Sequence, residues 1–536
     1  MSENPVRDEP PLADRWSLPV DLVALRARDG WRDQLAWPCS YRAIRQIQEG
    51  LFERTLSLVE TIDDPALRRV AAVAAPRLDN FMRRLGWLGL HVDAAAAAGL
   101  ELGASCVFLD AIQNPDAAAA ERLAEAQSAT TLSRVAHAKA KQAARSVLWS
   151  RSPWRALGAL VSPSATAISH NALMRAAVAD SGAPIGFSYA EDILSRAQAE
   201  LRHAPDGDVD ALARMASEAF LAYYQTDHAM WGRMARLVES FASRLLRNVA
   251  ADLAALARSR ALPTTVWTGS FGNYAARAIV TEVCRRGGHV TWFDHGGSIS
   301  MIDEDRSLEF TEMIAQDVCV MPSRRTAALM RGRVPRLLLR PEQTPEFTAR
   351  AADPTFTRAA QMVGRPTVRR PAVTYVTTIY QGTRQHYPPL LPDPIYVDLH
   401  LRVVDSLSRL PIDLRFRPHP EINLRSGAHP VEGRCAFDLR PFVEVLRDTD
   451  VFVFDYPQST TFWEATCSDR RVVLIDLGIS RFNATVREVI ERRCQVLTPA
   501  WNGRNLPEID EEALAEAVCG AAMGGDPSDM RQLLVA

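Results

Sequence analysis

Three short polar stretches carry residue types suited to proton transfer or anion binding. In LRFRPHPEINL (414–424), His419 stands between Pro418 and Pro420. Proline fixes φ, offers no N–H and biases the residue before it towards extended backbone. An imidazole framed this way is held stiffly at the end of a strand pattern, aimed to donate to an anionic oxygen or to carry a proton. Arg415 and Arg417 alternate with the strand's apolar residues. Arg417 lies closer to the loop and can pair with a phosphate or carboxylate. Pro420 and Glu421 complete that loop.

In DYPQSTTFWE (455–464), Asp455 closes a strand pattern, and Ser459, Thr460 and Thr461 stand where a helix begins. One hydroxyl there is an ordinary N-cap. Three in succession, beside the free N–H groups and dipole of a helix start, suit an anion such as phosphate. In DHGGS (294–298), Asp294 or His295 can serve as general base. Gly296 and Gly297 let the backbone approach a ligand closely, and Ser298 follows them. Gln381-Gly382-Thr383 is a similar, weaker loop, and TGSFGN adds Ser270 and Asn273.

The elements around these loops alternate. PTTVW and HVTWF read as strands flanking the amphipathic helix YAARAIVTEVCRRGG, which ends in glycines. From 371 to about 480, AVTYVTTIY, IDLRF, DVFVFD and RRVVLIDLG read as strands with helical segments between them. Such alternation implies parallel sheets with right-handed crossovers, and so an α/β fold of two Rossmann-type domains. Ligands bind beyond the carboxyl ends of such strands, and every polar cluster above falls at such an end. Residues 16–260 read as mainly helical, with apolar residues at three-and-four spacing in LFERTLSLVETI, in RVAAVAAPRLDNFMRRLGWLGL and along 210–260. The alanine-rich DAAAAERLAEA also reads as helix. The expected organisation is a disordered tail at 1–15, this helical region, the sheet part of a first domain at 261–330, a linker at 331–370 and a second domain at 371–536.

Composition narrows the classes. A net charge of −2 argues against a general nucleic-acid binder. The eight cysteines form no C-x-x-C pair, so neither a zinc ribbon nor a disulfide scaffold is expected. The N-terminus lacks signal-peptide regions, and no apolar run reaches the roughly 20 residues of a membrane span. A cytoplasmic protein is expected, with peripheral contact at the inner membrane left open. There is no Walker A lysine motif and no H-E-x-x-H, and TGSFGN lacks the G-x-G-x-x-G spacing. Asp303-Glu304-Asp305 reads as a solvated acidic loop, so no metal site is expected.

Residues 265–480 resemble GT-B glycosyltransferases, in which two Rossmann-like domains face a cleft. They resemble most the bacterial sialyltransferases and polysialyltransferases and the capsule β-Kdo transferases. His419-Pro420 matches the HP motif of those families, Ser459-Thr460 their paired-hydroxyl motif, and Asp294-His295-Gly296 their acidic motif ending in glycine. VWTGSFGNYAARAIVTEVCRRGGHVTWFDHGG is also similar to surface-carbohydrate transferases that carry QHGG at this point. His295 replaces the second acidic residue, so the base is Asp294 by the family pattern or His295 by geometry. The resemblance implies metal-independent transfer from a CMP-linked nonulosonic acid or Kdo donor to a surface glycan, lipid-linked or protein acceptor, with no cofactor. It implies a donor site at Gln381, Gly382, Thr383, Arg417, Pro420, Glu421, Asp455, Ser459, Thr460 and Thr461. The catalytic residues would be Asp294, His295 and His419, with Ser270, Asn273, Gly296, Gly297 and Ser298 on the acceptor side. Two other readings stand beside it: a sugar-nucleotide epimerase or hydrolase on the same fold, and a non-catalytic helical scaffold.

Overall fold

The computed structural model describes residues 17–19, 25, 30–99, 101–103, 152–199, 209–223, 229–303, 312–333, 336–337, 339–340, 344–362, 370–380, 391–419, 429–520 and 525–535. The expected tail at 1–15 and the DAAAAERLAEA helix lie outside them. After a short strand at Ser17–Pro19, which pairs with Glu101–Gly103, and a one-turn helix at Trp31–Gln34 come two long helices, α1 (Tyr41–Glu60) and α2 (Pro65–Ala97). The Ser40 hydroxyl accepts from the Ala43 N–H to start α1. Asp64 caps α2, and Pro65 sits at its first turn, where a missing N–H costs nothing.

The first sheet follows. Its elements are α3 (Pro153–Val161), β1 (Ala165–Ala167), α4 (Ala172–Ser181), β2 (Ile185–Phe187), α5 (Ala190–Ala199), α6 (Asp210–Tyr223), α7 (Ala229–Arg258), β3 (Thr265–Thr268), α8 (Tyr274–Arg285), β4 (His289–Phe293), β5 (Val318–Val320), α9 (Arg324–Met330), β6 (Glu346–Thr348) and α10 (Pro354–Ala360). Six strands pair in the order β2-β1-β3-β4-β5-β6, all parallel. The second sheet draws on β7 (Ala372–Val376), α11 (Asp393–Ser408), β8 (Asp413–Arg417), β9 (Ala436–Phe437), α12 (Phe442–Asp448), β10 (Val451–Phe454), α13 (Thr460–Cys467), β11 (Arg471–Ile475), α14 (Ala484–Arg493) and β12 (Gln495–Leu497). Its order is β9-β8-β7-β10-β11-β12, again all parallel. Strands such as Val451–Phe454 are buried at every position, as a sheet covered on both faces requires.

Two boundaries differ from the sequence reading. β1 and β2 fall inside the stretch expected to be mainly helical, and β6 and α10 fall inside the expected linker. ATA, IGF and EFT are each three residues long. That is too short to show a two-residue period, and Ala and Gly have little strand preference of their own. The stretch 210–260 forms two helices, α6 and α7.

The helices α1, α2, α6 and α7 pack together, and α2 and α7 lie against α8 on the first sheet. The N-terminal region also reaches the second domain. The Tyr41 ring stacks on Trp501 at 5.9 Å, the Trp37 N–H donates to the Arg504 carbonyl at 2.8 Å, and Arg32 pairs with Asp405 at 3.0 Å. The two sheet domains share a core in which Met301, Ile302 and Phe356 meet Phe454, Trp463 and Phe482. A last helix, α15 (Ser528–Leu534), packs against α9, α10, α13 and α14, and Ser323 donates its hydroxyl proton to the Leu533 carbonyl. The cleft between the sheets is therefore braced on more than one side. Among the described residues, no helix is long and apolar enough to cross a membrane.

Candidate functional site

In each sheet the strand order reverses once, between β1 and β3 and between β7 and β10. Crevices for ligands open at such points, beyond the carboxyl ends of the strands. Here the loops after β4, β7, β8 and β10 converge on one cavity of about 380 Å³, a size that suits a small ligand. Asp294, His295, Ser298, Trp292 and Glu312 line it from the first domain. Thr377, Arg417, Pro418, His419, Tyr456 and Gln458 to Thr461 line it from the second.

The first wall is acidic and dry. Asp294 is 1% exposed, at the end of β4. Its Oδ2 accepts the Gly297 N–H at 2.9 Å, while Oδ1 has no hydrogen-bond partner among the described residues. Burial, with Asp353 and Glu312 nearby, pushes its carboxyl up to about 7. Glu312 accepts from Trp292 Nε1 and from the Ser270 hydroxyl, both at 2.9 Å, yet burial also takes it up to about 7. Asp353 caps α10 through the Thr355 N–H at 2.7 Å, and burial raises its carboxyl too. His295 keeps contact with solvent inside the cleft, and desolvation by the walls lowers its pKa, opposed by Asp353. The loop is held from behind by Asn171, whose Nδ2 donates to the carbonyls of Phe293 and Asp294 at 3.1 and 3.0 Å.

The second wall offers donors. Ser459 is the N-cap of α13, but its side chain makes no capping bond. Its Oγ lies instead 2.6 Å from Thr461 Oγ1. The helix start thus presents hydroxyls and backbone N–H groups to the cavity. Arg417 Nη1 donates to the carbonyls of Asp438 and Arg440 at 3.0 and 2.6 Å, which fixes the guanidinium on this wall. Thr377 Oγ1 is buried with no hydrogen-bond partner among the described residues. Glu464, one turn into α13, is buried beside Arg358 and Arg417, and desolvation takes it up to about 7.

The walls touch at Gly296. Its φ is +85°, and a Cβ placed there would lie 2.2 Å from Thr460 Oγ1. Gly296→Ala therefore carries two costs: about 1–2 kcal/mol for left-handed backbone, and the displacement of Thr460 or of the domains. Adding Thr460→Ala is expected to recover the second cost and leave the first. Urea unfolding of both variants measures this; equal losses in the single and double variants would mean that the loops do not meet.

Of the sequence-predicted residues, Asp294, His295, Ser298, Arg417, His419, Ser459, Thr460 and Thr461 line the cavity, Gly296 meets Thr460 at its edge, and Gly297 packs towards Phe356 and Leu534 instead. Asp455 does not reach the cavity: its carboxylate turns into the core, where it accepts from Tyr375 Oη at 2.7 Å and the Thr378 N–H at 2.9 Å and lies 2.8 Å from His400 Nε2. It holds the loop after β7 in place. Asn273 caps α8 and donates to Glu191 at 2.6 Å, and Ser270 braces Glu312, so neither lines the wall. Gln381, Gly382, Thr383, Pro420 and Glu421 lie outside the described residues. Sequence reasoning missed Trp292, Glu312, Asp353, Thr377, Tyr456, Gln458 and Glu464. Only Asp353-Pro354 carried a local signal, and it reads as a helix cap.

No protein-family model matches this chain, and no curated protein matches its sequence.

Proposed function

We propose that this chain is a glycosyltransferase with a GT-B-like frame, moving a sugar from a CMP-linked nonulosonic acid or Kdo donor to a hydroxyl of a glycan, lipid-linked or protein acceptor. The observation that carries the reading is the pair of opposed walls. One bears a desolvated carboxyl poised near neutrality, and the other bears a helix start whose N-cap serine makes no capping bond, with Arg417 and His419 beside it. The first suits a general base and the second a phosphate. The CMP assignment rests on the resemblance at His419-Pro420 and Ser459-Thr460.

In this mechanism the acceptor oxygen attacks the anomeric carbon and its proton passes to Asp294. The bond from that carbon to the donor phosphate oxygen breaks, and its electron pair leaves with the phosphate. The start of α13, Ser459, Thr460, Arg417 and His419 stabilise that charge where it grows. His295 sits beside the base and, with its pKa lowered, is neutral at pH 7. Product analysis after incubation with a CMP-sugar and a cell-envelope acceptor extract tests the proposal. Free CMP plus a larger glycoside supports it; an isomerised donor, or free sugar with no glycoside, contradicts it.

A further inference from the structure

Thr377 follows the carboxyl end of β7, where the strand order of the second sheet reverses. The residue before it, Val376, pairs with Arg417 of β8 on one side and with Phe454 of β10 on the other. Thr377 therefore stands between two sets of donors, Arg417 and His419 at the end of β8 and the start of α13 after β10, and it lines the same cavity. Its backbone is fixed on both sides. Its N–H donates to the Arg417 carbonyl at 3.2 Å, and the next N–H, that of Thr378, donates to Asp455 Oδ1 at 2.9 Å. Tyr375 and His400 hold Asp455 in turn. Thr377 is only 5% exposed, and its hydroxyl has no hydrogen-bond partner among the described residues. A buried hydroxyl without a partner is costly. One recurring reason for a native chain to keep one is a bound ligand that offsets the cost.

We infer that Thr377 is a further binding residue of the cleft, its hydroxyl donating to a phosphate oxyanion held between Arg417 and the start of α13. The neighbours decide the class of ligand. Donors flank the hydroxyl on both sides, so a group that accepts from all of them is rich in oxygen and negative. The tethered backbone keeps the hydroxyl in place before the anion arrives, so binding it needs little rearrangement. The inference rests on the reading of this wall as an anion site, and not on CMP or on the sugar.

Thr377→Val removes the hydroxyl and keeps the branched shape. It is expected to weaken binding of inorganic phosphate about tenfold or more in a calorimetric titration. Without ligand, in phosphate-free buffer, it is expected to melt at or above the wild-type temperature, because no unpaired hydroxyl is then buried. Thr377→Ser keeps the hydroxyl and is expected to bind phosphate nearly as the wild type does. Four results would each overturn the inference. They are a wild type that does not bind phosphate, a valine variant that binds it as tightly, a serine variant that loses as much as the valine one, and a valine variant that melts below the wild type. A parallel titration with CMP keeps the two proposals apart. Phosphate binding that is lost in Thr377→Val, from a wild type that ignores CMP, supports this inference and contradicts the CMP donor.

Discussion

On the proposed chemistry, Asp294→Asn is expected to lower CMP release from the donor by about 10²–10⁴-fold while leaving CMP affinity nearly unchanged. Asparagine keeps an oxygen where Oδ2 accepts the Gly297 N–H, so the glycine loop holds its shape. Only the proton acceptor is lost. The same substitution does not weaken the fold at pH 8. The Asp294 carboxyl is pushed up to about 7, above its unfolded value, so the folded state binds more protons than the unfolded state between the two. Its contribution to stability is fully present below the ordinary carboxylate range and is lost as pH rises through about 7. At pH 8 the wild type therefore buries a charge that the variant does not. The proposed activity is expected to have the opposite slope: a base must be ionised, so kcat/KM should climb through about pH 7 and level off above it. Were His295 the base, its lowered pKa would move the rise below 6.5. The pH profile of kcat/KM for the wild type and His295→Ala decides. A limb near 7 that vanishes with His295, or that persists in Asp294→Asn, contradicts the assignment.

Ser459→Ala with Thr460→Ala separates binding from folding. An ordinary N-cap serine contributes about 1 kcal/mol to its helix. Ser459 makes no such bond, so the ligand-free double variant is expected to unfold close to the wild type. Its affinity for CMP is expected to fall by about tenfold or more, because each lost hydrogen bond to a charged phosphate is worth about 1.5–3 kcal/mol. His419→Ala is expected to cost a similar factor. Calorimetric titration with CMP and a thermal melt of each variant measure the two quantities. A lower melting temperature with unchanged affinity would make these hydroxyls structural.

The parts of this molecule legible in the sequence are those that local pattern controls. AVTYV, DVFVFD and RRVVLIDLG are long enough to show continuous burial, and with IDLRF they give four of the second sheet's six strands; β9 and β12 escape the sequence reading. β1, β2 and β6 are not legible, because three-residue strands are made by their neighbours in the sheet. The site divides in the same way. His419 and Ser459 to Thr461 carry their signal in adjacent residues. Glu312, Asp353 and Glu464 become unusual only when separate elements bury them near Asp294 or Arg417. Asp455 shows the reverse. An aspartate at a strand end looks the same whether it faces a cleft or turns back, and Tyr375, His400 and the Thr378 N–H turn it back. In the first half, α1, α2, α6 and α7 were legible as helices, but their contacts with both sheet domains depend on single pairs such as Tyr41 and Trp501.

The most direct test of the central claim is a thermal-shift series on the purified protein with CMP, CDP, UMP, UDP, GDP and ADP, repeated on His419→Ala. A ligand that binds only the native state raises the melting temperature by mass action. The account predicts stabilisation by CMP, lost in the variant. A preference for UDP or GDP would contradict the CMP donor while keeping a nucleotide in the cleft. No shift with any nucleotide, from a well-folded sample, would contradict the glycosyltransferase reading itself.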